Sequence, residues 1–337
     1  MHVLQRKEQA EHRRPKPRSG NAMKSAPRLH VLLNQAKAHP PLRTAVVHPC
    51  QDYALQGMLD ASSEKLIEPV IVAPRSKLEK LASSYGMDLS AFEWVDVPHS
   101  HAAADKGVEL ARDRKVDALM KGSLHTEEFM EALMRSGSGM RTARRMSHIF
   151  ALDVPAYPKL LLLSDGGVNI QPDLAQKADI VRNAIELAQT LGIEKPKIAI
   201  LSAVELVTQK LQATIDAAAL CKMVDRRQIT NCIIDGPLAF DNAISNQAAQ
   251  RKGIQSSVSG DADILIAPDI ESGNLLAKQL EYLAGATAAG VVAGAAVPVI
   301  LTSRSDSPES RVYSCALALL QSHFERPTPN PCGFPKE

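Results

Sequence analysis

The 337-residue chain lacks most of the short signatures by which an enzyme class is read from sequence. No G-x-G-x-x-G follows an apolar strand-like run and no G-x-x-x-x-G-K-[ST] occurs, which removes the Rossmann dinucleotide and P-loop readings. G-x-S-x-G and H-E-x-x-H are also missing, so neither a nucleophile elbow nor a zincin centre is indicated. Aromatic residues are only 4%, too few for platforms that stack single-stranded nucleic acid. The net charge of +2 gives no electrostatic case for nucleic acid. Five cysteines (Cys50, Cys221, Cys232, Cys315, Cys332) are scattered without C-x-x-C or Cys/His ligand spacing, which reads as a reduced cytoplasmic chain without a zinc site. No apolar run approaches the ~18 residues that span a membrane, so no membrane partner is expected.

What is present is an alternation. At roughly 150 residues per domain the length predicts about two domains. Residues 1–27 are basic and polar and are expected to be a disordered extension. From about Arg43, strand-like runs (44–47, 69–73, 92–97, 116–120) alternate with helical spacing (53–66, 78–85, 102–113), the pattern of a largely parallel sheet covered by helices on both faces. Further runs follow at 148–154, 160–163, 198–201, 233–234, 264–266 and 297–301. Pro172 is expected at a first helical position, with that helix ending at Gly192.

Several of these runs end in polar turns: Lys121-Gly122-Ser123, Asp165-Gly166-Gly167, Asp235-Gly236-Pro237, Pro268-Asp269 and Ser303-Arg304. In open parallel sheets ligands bind beyond the carboxyl ends of strands, and so many such ends suggest one lined cleft. Ser303 and Arg304 offer a hydroxyl and a guanidinium fork to phosphate oxygens. The plainer alternative is that Arg304 reaches solvent while Ser305 or Ser307 caps the next helix. Lys121, Ser123, His125 and Thr126 are anion-friendly groups at a helix start, although Thr126 as an N-cap explains part of that pattern. Arg141, Arg144 and Arg145 suit either a nucleotide phosphate or a solvated helix face. Asp165, Asp235 and Asp269 suit Mg²⁺ or, more simply, turn caps and arginine partners.

Taken together, KGSLHT (121–126), GMRTARRMSH (139–148), LSDGGVNIQPD (163–173), IDGPLAFDNAIS (234–245), GDADILIAPDIESGNLLAK (260–278), LAGATAAG (283–290) and PVILTSRSDSPES (298–310) resemble the phosphate acetyl/butyryltransferase family, in its butyryltransferase-like branch. The resemblance implies a two-domain α/β fold similar to the isocitrate/isopropylmalate dehydrogenases, with parallel or mixed sheets and the active-site cleft between domains. Domain I is then 28–153 with 291–337, and domain II is the insertion 154–290. It further implies a homodimer and reversible acyl transfer, acyl-CoA + phosphate ⇌ acyl phosphate + CoA, by direct attack within a ternary complex. CoA enters as a substrate, with no bound cofactor and no metal. Ser303, Arg304 and Asp306 are the expected catalytic residues. Lys121, Ser123, His125, Arg141, Asp165, Asp235, Asp269 and Asn274 are expected to bind phosphate or CoA. In the acetyltransferase branch the carboxylate assigned as base lies six residues beyond the Ser-Arg arginine, where this chain has Ser310. Asp306 is therefore the expected substitute. Two rivals are a metal-dependent 2-hydroxy-acid dehydrogenase and a non-catalytic acyl-CoA sensor.

Overall fold

The structure is a computed structural model and describes residues 26–324. Most of the expected basic extension, residues 1–25, lies outside the described residues. Pro27, assigned to that extension from sequence, instead opens a helix, α1 (Pro27–Ala36), in a first turn where proline's missing N–H leaves no bond unmade. Leu29, Leu32, Leu33 and Ala36 bury one face of it. Asp153 holds its start, accepting from the Arg28 backbone N–H at 2.7 Å and from its guanidinium at 2.5 Å. That pairing is what lets the apolar run 148–154 carry a buried carboxylate.

The alternation then proceeds as β1 (Leu42–Val47), α2 (Asp52–Ser63), β2 (Ile67–Ala73), α3 (Arg75–Tyr85), β3 (Glu93–Asp96), α4 (Ser100–Arg112), β4 (Ala118–Lys121) and α5 (Thr126–Met134). Two strands follow without an intervening helix, β5 (Ser147–Asp153) and β6 (Leu161–Ser164). Next come α6 (Leu174–Thr190), β7 (Lys197–Leu201), α7 (Gln212–Asp225), β8 (Ile233–Leu238), α8 (Phe240–Ile244), α9 (Asn246–Arg251), β9 (Ile264–Ile266) and α10 (Ile270–Tyr282). The last elements are β10 (Thr287–Ala293), β11 (Val299–Ile300) and α11 (Pro308–His323).

The described strands form an eleven-stranded sheet in the order β3-β2-β1-β4-β11-β10-β5-β6-β9-β7-β8. β10 and β5 are antiparallel to each other and to their outer neighbours β11 and β6. The parallel set β3-β2-β1-β4-β11 therefore runs opposite to the parallel set β6-β9-β7-β8. No helix among the described residues is long and apolar enough to cross a membrane.

Local expectations shift in three places. The small-residue stretch 285–296 carries β10, buried at all seven positions, and its small side chains left no period-2 signal. The strand expected over 297–301 pairs only at Val299 and Ile300. Pro172 stays outside α6, which Asp173 caps through a reciprocal box with Gln176. The α/β class stands. The isocitrate/isopropylmalate dehydrogenase-like architecture does not: alternation specifies class but not strand order or relatedness, and the architecture is the one identified by comparison below.

Candidate active site

Because the two parallel sets run in opposite directions, the ends of β4 and β11 from one meet the ends of β6 and β9 from the other. Around them opens a cleft of about 960 Å³, with His148 and Phe150 of β5 as its floor.

The β4 side begins at Lys121, which is buried and donates to the Thr302 carbonyl at 3.4 Å. Burial, together with the Arg311 and Arg304 charges, pulls its ammonium down to about 8. The turn beyond it requires glycine, since a Cβ at Gly122 would collide with the Val47 carbonyl and the His48 backbone. Ser123 turns inward, donating to the His48 carbonyl at 2.8 Å and accepting from the Cys50 N–H at 3.2 Å. It braces the loop after β1 and does not line the cleft. His125, not Thr126, occupies the N-cap position of α5. Its imidazole Nδ1 accepts from Arg304 Nη2 at 2.9 Å, so His125 and Arg304 reach the cleft as a pair.

The turn after β11 is built around two charged side chains. Asp306 accepts from the Ser303 N–H at 2.7 Å and lies 3.4 Å from Lys278 Nζ. Arg311 is fully buried in α11 and donates to Thr302 Oγ1 at 2.8 Å and to the Ser303 carbonyl at 2.6 Å. Its guanidinium lies over the Tyr53 ring, 4.8 Å from the centroid. Ser303 and Arg304 are thereby presented to the cleft by a turn stapled from both sides. Ser307 caps α11, as the plainer reading of the sequence expected, by accepting from the Ser310 N–H at 3.1 Å. Ser310 is buried inside that helix, away from the cleft.

Opposite them, the Asp165 carboxylate accepts from the N–H groups of Gly167, Val168 and Asn169 and from the Asn169 amide. It shapes the loop after β6 from inside. Asn274 donates to the Gly166 carbonyl at 3.0 Å and lines the cleft, while Asp269 caps α10 by accepting from the Ser272 N–H at 2.8 Å. Asp235 accepts from its neighbour Gly236 on the edge strand β8, and Arg141 is exposed beside its backbone bridge to Ala295. Neither lines this cleft.

The cleft thus receives Lys121, His125, Asn274, Ser303 and Arg304 directly. Ser123, Asp165, Asp269 and Asp306 act on the backbone around it. Sequence reasoning missed Arg311, one residue beyond the last matching stretch, although a lone arginine amid Val312, Tyr313 and Cys315 was a visible signal. It also passed over His148, a polar residue opening an apolar run. Among the described residues no group of three or more His, Cys, Asp or Glu is arranged to hold a metal ion.

A sheet of this order, with guanidinium, ammonium and hydroxyl donors at converging strand ends, defines an anion-handling α/β enzyme. Residues 99–319 match the family described as phosphate acetyl/butaryl transferase. The chain is 52% identical to a phosphate acetyltransferase of Rhizobium meliloti, over 88% of this chain and 93% of that one. It is 38% identical to a phosphate butyryltransferase of Clostridium acetobutylicum, over 86% and 96% respectively. In structure it is similar to a branched-chain phosphotransacylase from Enterococcus faecalis V583, with a TM-score of 0.72 and 30% identity, covering 84% of this chain and all of that one. The chain belongs to the phosphate acetyl/butaryl transferase family and is a phosphate acyltransferase. The phosphotransacylase likeness replaces the dehydrogenase-like architecture expected from sequence, and with it the dehydrogenase reading.

Proposed function

We propose that this chain transfers a short acyl group, acetyl or a near homologue, between CoA and inorganic phosphate, with both substrates bound together and no acyl-enzyme intermediate. The observation that carries this reading is the convergence of Lys121, Ser303 and Arg304 on one side of a single cleft. Phosphate sits there against an ammonium, a hydroxyl and a guanidinium fork, the donor set that suits its oxygens. The thioester end of CoA lies across the floor toward Gly166, Gly167 and α10. Holding both reactants in attack geometry supplies up to roughly 7–11 kcal/mol of the barrier, which leaves no need for a protein nucleophile. CoA is consumed as a substrate. Asp306, whose carboxylate is engaged by the Ser303 N–H and faces Lys278, positions the Ser-Arg turn in this reading.

Three coarser features accompany it. The four described cysteines are free thiols, which supports a reduced compartment such as the cytoplasm. Leu206 and Val207 after β7 and Leu283 after α10 are more than half exposed, and burial of these side chains in a homodimer belongs to this reading. A division into a discontinuous domain I and an inserted domain II is retained, with crossings near residues 153 and 290.

The test is phosphate-dependent release of CoA thiol from acetyl-, propionyl- and butyryl-CoA, with and without EDTA. Release that requires phosphate and survives EDTA is the expected result, with several chain lengths accepted because one methylene changes discrimination by only about 1–3 kcal/mol. Tight acyl-CoA binding without release from any of the three would overturn it in favour of the sensor.

A further inference from the structure

The acyl-transfer reading requires an acceptor for one proton, and the cleft offers His125, which is paired with Arg304, the exposed Glu127 and Glu271 in the first turns of α5 and α10, and the buried His148. In the direction acyl phosphate + CoA, the thiol must lose its proton as sulfur attacks the carbonyl. Ser310, six residues beyond Arg304, is buried in α11 and does not line the cleft. Asp306 is held by the turn it staples and does not line the cleft.

His148 lies on the cleft floor and is 1% exposed. Its Nε2 is 3.4 Å from the Leu301 carbonyl, an oxygen that can only accept, so in the neutral ring Nε2 carries the hydrogen. Nδ1 then presents a lone pair, and among the described residues it has no hydrogen-bond partner. Phe150 packs edge-on against the ring at 4.3 Å between centroids and fixes its plane. A buried polar nitrogen left unpaired is unusual and calls for an explanation.

The explanation lies at Gly167, which also lines the cleft. A Cβ built there would lie 3.2 Å from Cβ and Cγ of His148 and 3.3 Å from its Nδ1. Those contacts are tighter than ordinary packing, so any side chain at position 167 would press on the imidazole, and glycine is what keeps that side of the ring uncovered toward the cleft.

Resting on that reading, we propose that His148 Nδ1 is the proton acceptor for the CoA thiol, which approaches the imidazole from the cleft past Gly167. The S–H proton passes to Nδ1 as the C–S bond forms. The bond between the acyl carbon and the bridging oxygen then breaks, phosphorus keeping that oxygen, and the imidazolium returns the proton to the departing phosphate oxygen. CoA-SH and acyl phosphate dianion thus give the thioester and hydrogen phosphate dianion, with His148 neutral again. Three charged groups face the ring. Asp165 behind the β6 loop and Asp306 after β11 favour the imidazolium, and Lys278 of α10 opposes it. Burial dominates and pulls the imidazole below its ordinary value, so the free enzyme holds the ring neutral and ready to accept.

The test compares the full-length wild-type enzyme with His148→Asn, Asp306→Asn and Gly167→Ala, assaying acetyl phosphate with CoA. General-base catalysis contributes about 10²–10⁴-fold. His148→Asn is expected to lower kcat by at least about 100-fold while the KM for acetyl phosphate stays within about threefold. The acid limb of wild-type kcat/KM should lie below about pH 6.5, vanish in His148→Asn and persist in Asp306→Asn. Gly167→Ala puts a methyl group against Nδ1 and should lower kcat comparably in a folded protein. A folded His148→Asn enzyme with kcat within about threefold of wild type, or with the acid limb intact, overturns the proposal. If circular dichroism shows His148→Asn unfolded, near-normal kcat in Gly167→Ala overturns it instead. Failure of the wild type to catalyse acyl transfer would refute the functional reading itself, a separate result.

Discussion

At the scale of single residues the cleft is governed by where charge is buried. Arg304 is exposed and, among the described residues, hydrogen-bonded only to His125, which leaves N–H groups to offer an incoming anion. Arg304→Gln is expected to raise the KM for phosphate by about 10- to 100-fold, the worth of a charge-assisted hydrogen bond; an unchanged KM would remove it from the phosphate site. Lys121 differs because its ammonium is buried and titrates near 8. Phosphate prefers the charged form, so the KM for phosphate should climb as pH rises through about 8, and Lys121→Met should flatten that limb. Between about 8 and the ordinary lysine value near 10.5, the unfolded chain binds more protons than the folded one. Conformational stability therefore gains from Lys121 as pH rises across that window, and does not below it.

At the scale of elements, the decisive contact is between α2 and α11. Gly57 on α2 leaves the space that the Arg311 stem fills, and a Cβ there would come within 2.5 Å of Arg311 Cδ. Arg311 in turn holds Thr302 and Ser303. Gly57→Ala is expected to lower stability by about 1–3 kcal/mol, the usual cost of overpacking, and to raise the KM for phosphate by displacing the Ser303 carbonyl. Thermal unfolding and initial rates on one sample check both effects. A stable variant with unchanged KM would show that α2 does not support the turn. The capping roles of Asp269 at α10 and Ser307 at α11 were legible in advance, because Asp and Ser at such turns have a local chemical reason to be there, whereas the cap of α6 was not, since Pro172 was expected to open the helix that Asp173 caps. Arg311 was not, because its partners lie across the fold in backbone that no local pattern reveals.

At the scale of the whole molecule, the exposed Leu206, Val207 and Leu283 predict a dimer. Light scattering on the purified chain should give twice the chain mass at micromolar concentration, and Leu206→Glu with Leu283→Glu should halve it. A wild-type monomer at that concentration would require another account of these side chains.

The sequence by itself determined the α/β class, most strand and helix positions, the family and the Ser303-Arg304 turn. Each rests on patterns within a few residues, namely apolar runs, caps and strand ends, or on long matching stretches. Only the tertiary structure decided the sheet order, in which antiparallel β5 and β10 turn one parallel set against the other and bring four strand ends to one cleft. It also sorted the eleven expected site residues, sending Asp235 and Arg141 away from the cleft, turning Asp165 and Asp306 onto backbone, and placing His148 on the floor. Such sorting depends on contacts between residues more than a hundred positions apart, as between His148 and Leu301 or Arg304 and His125. A side chain's partner at that range is set by packing of the whole sheet, which leaves no local mark on the chain.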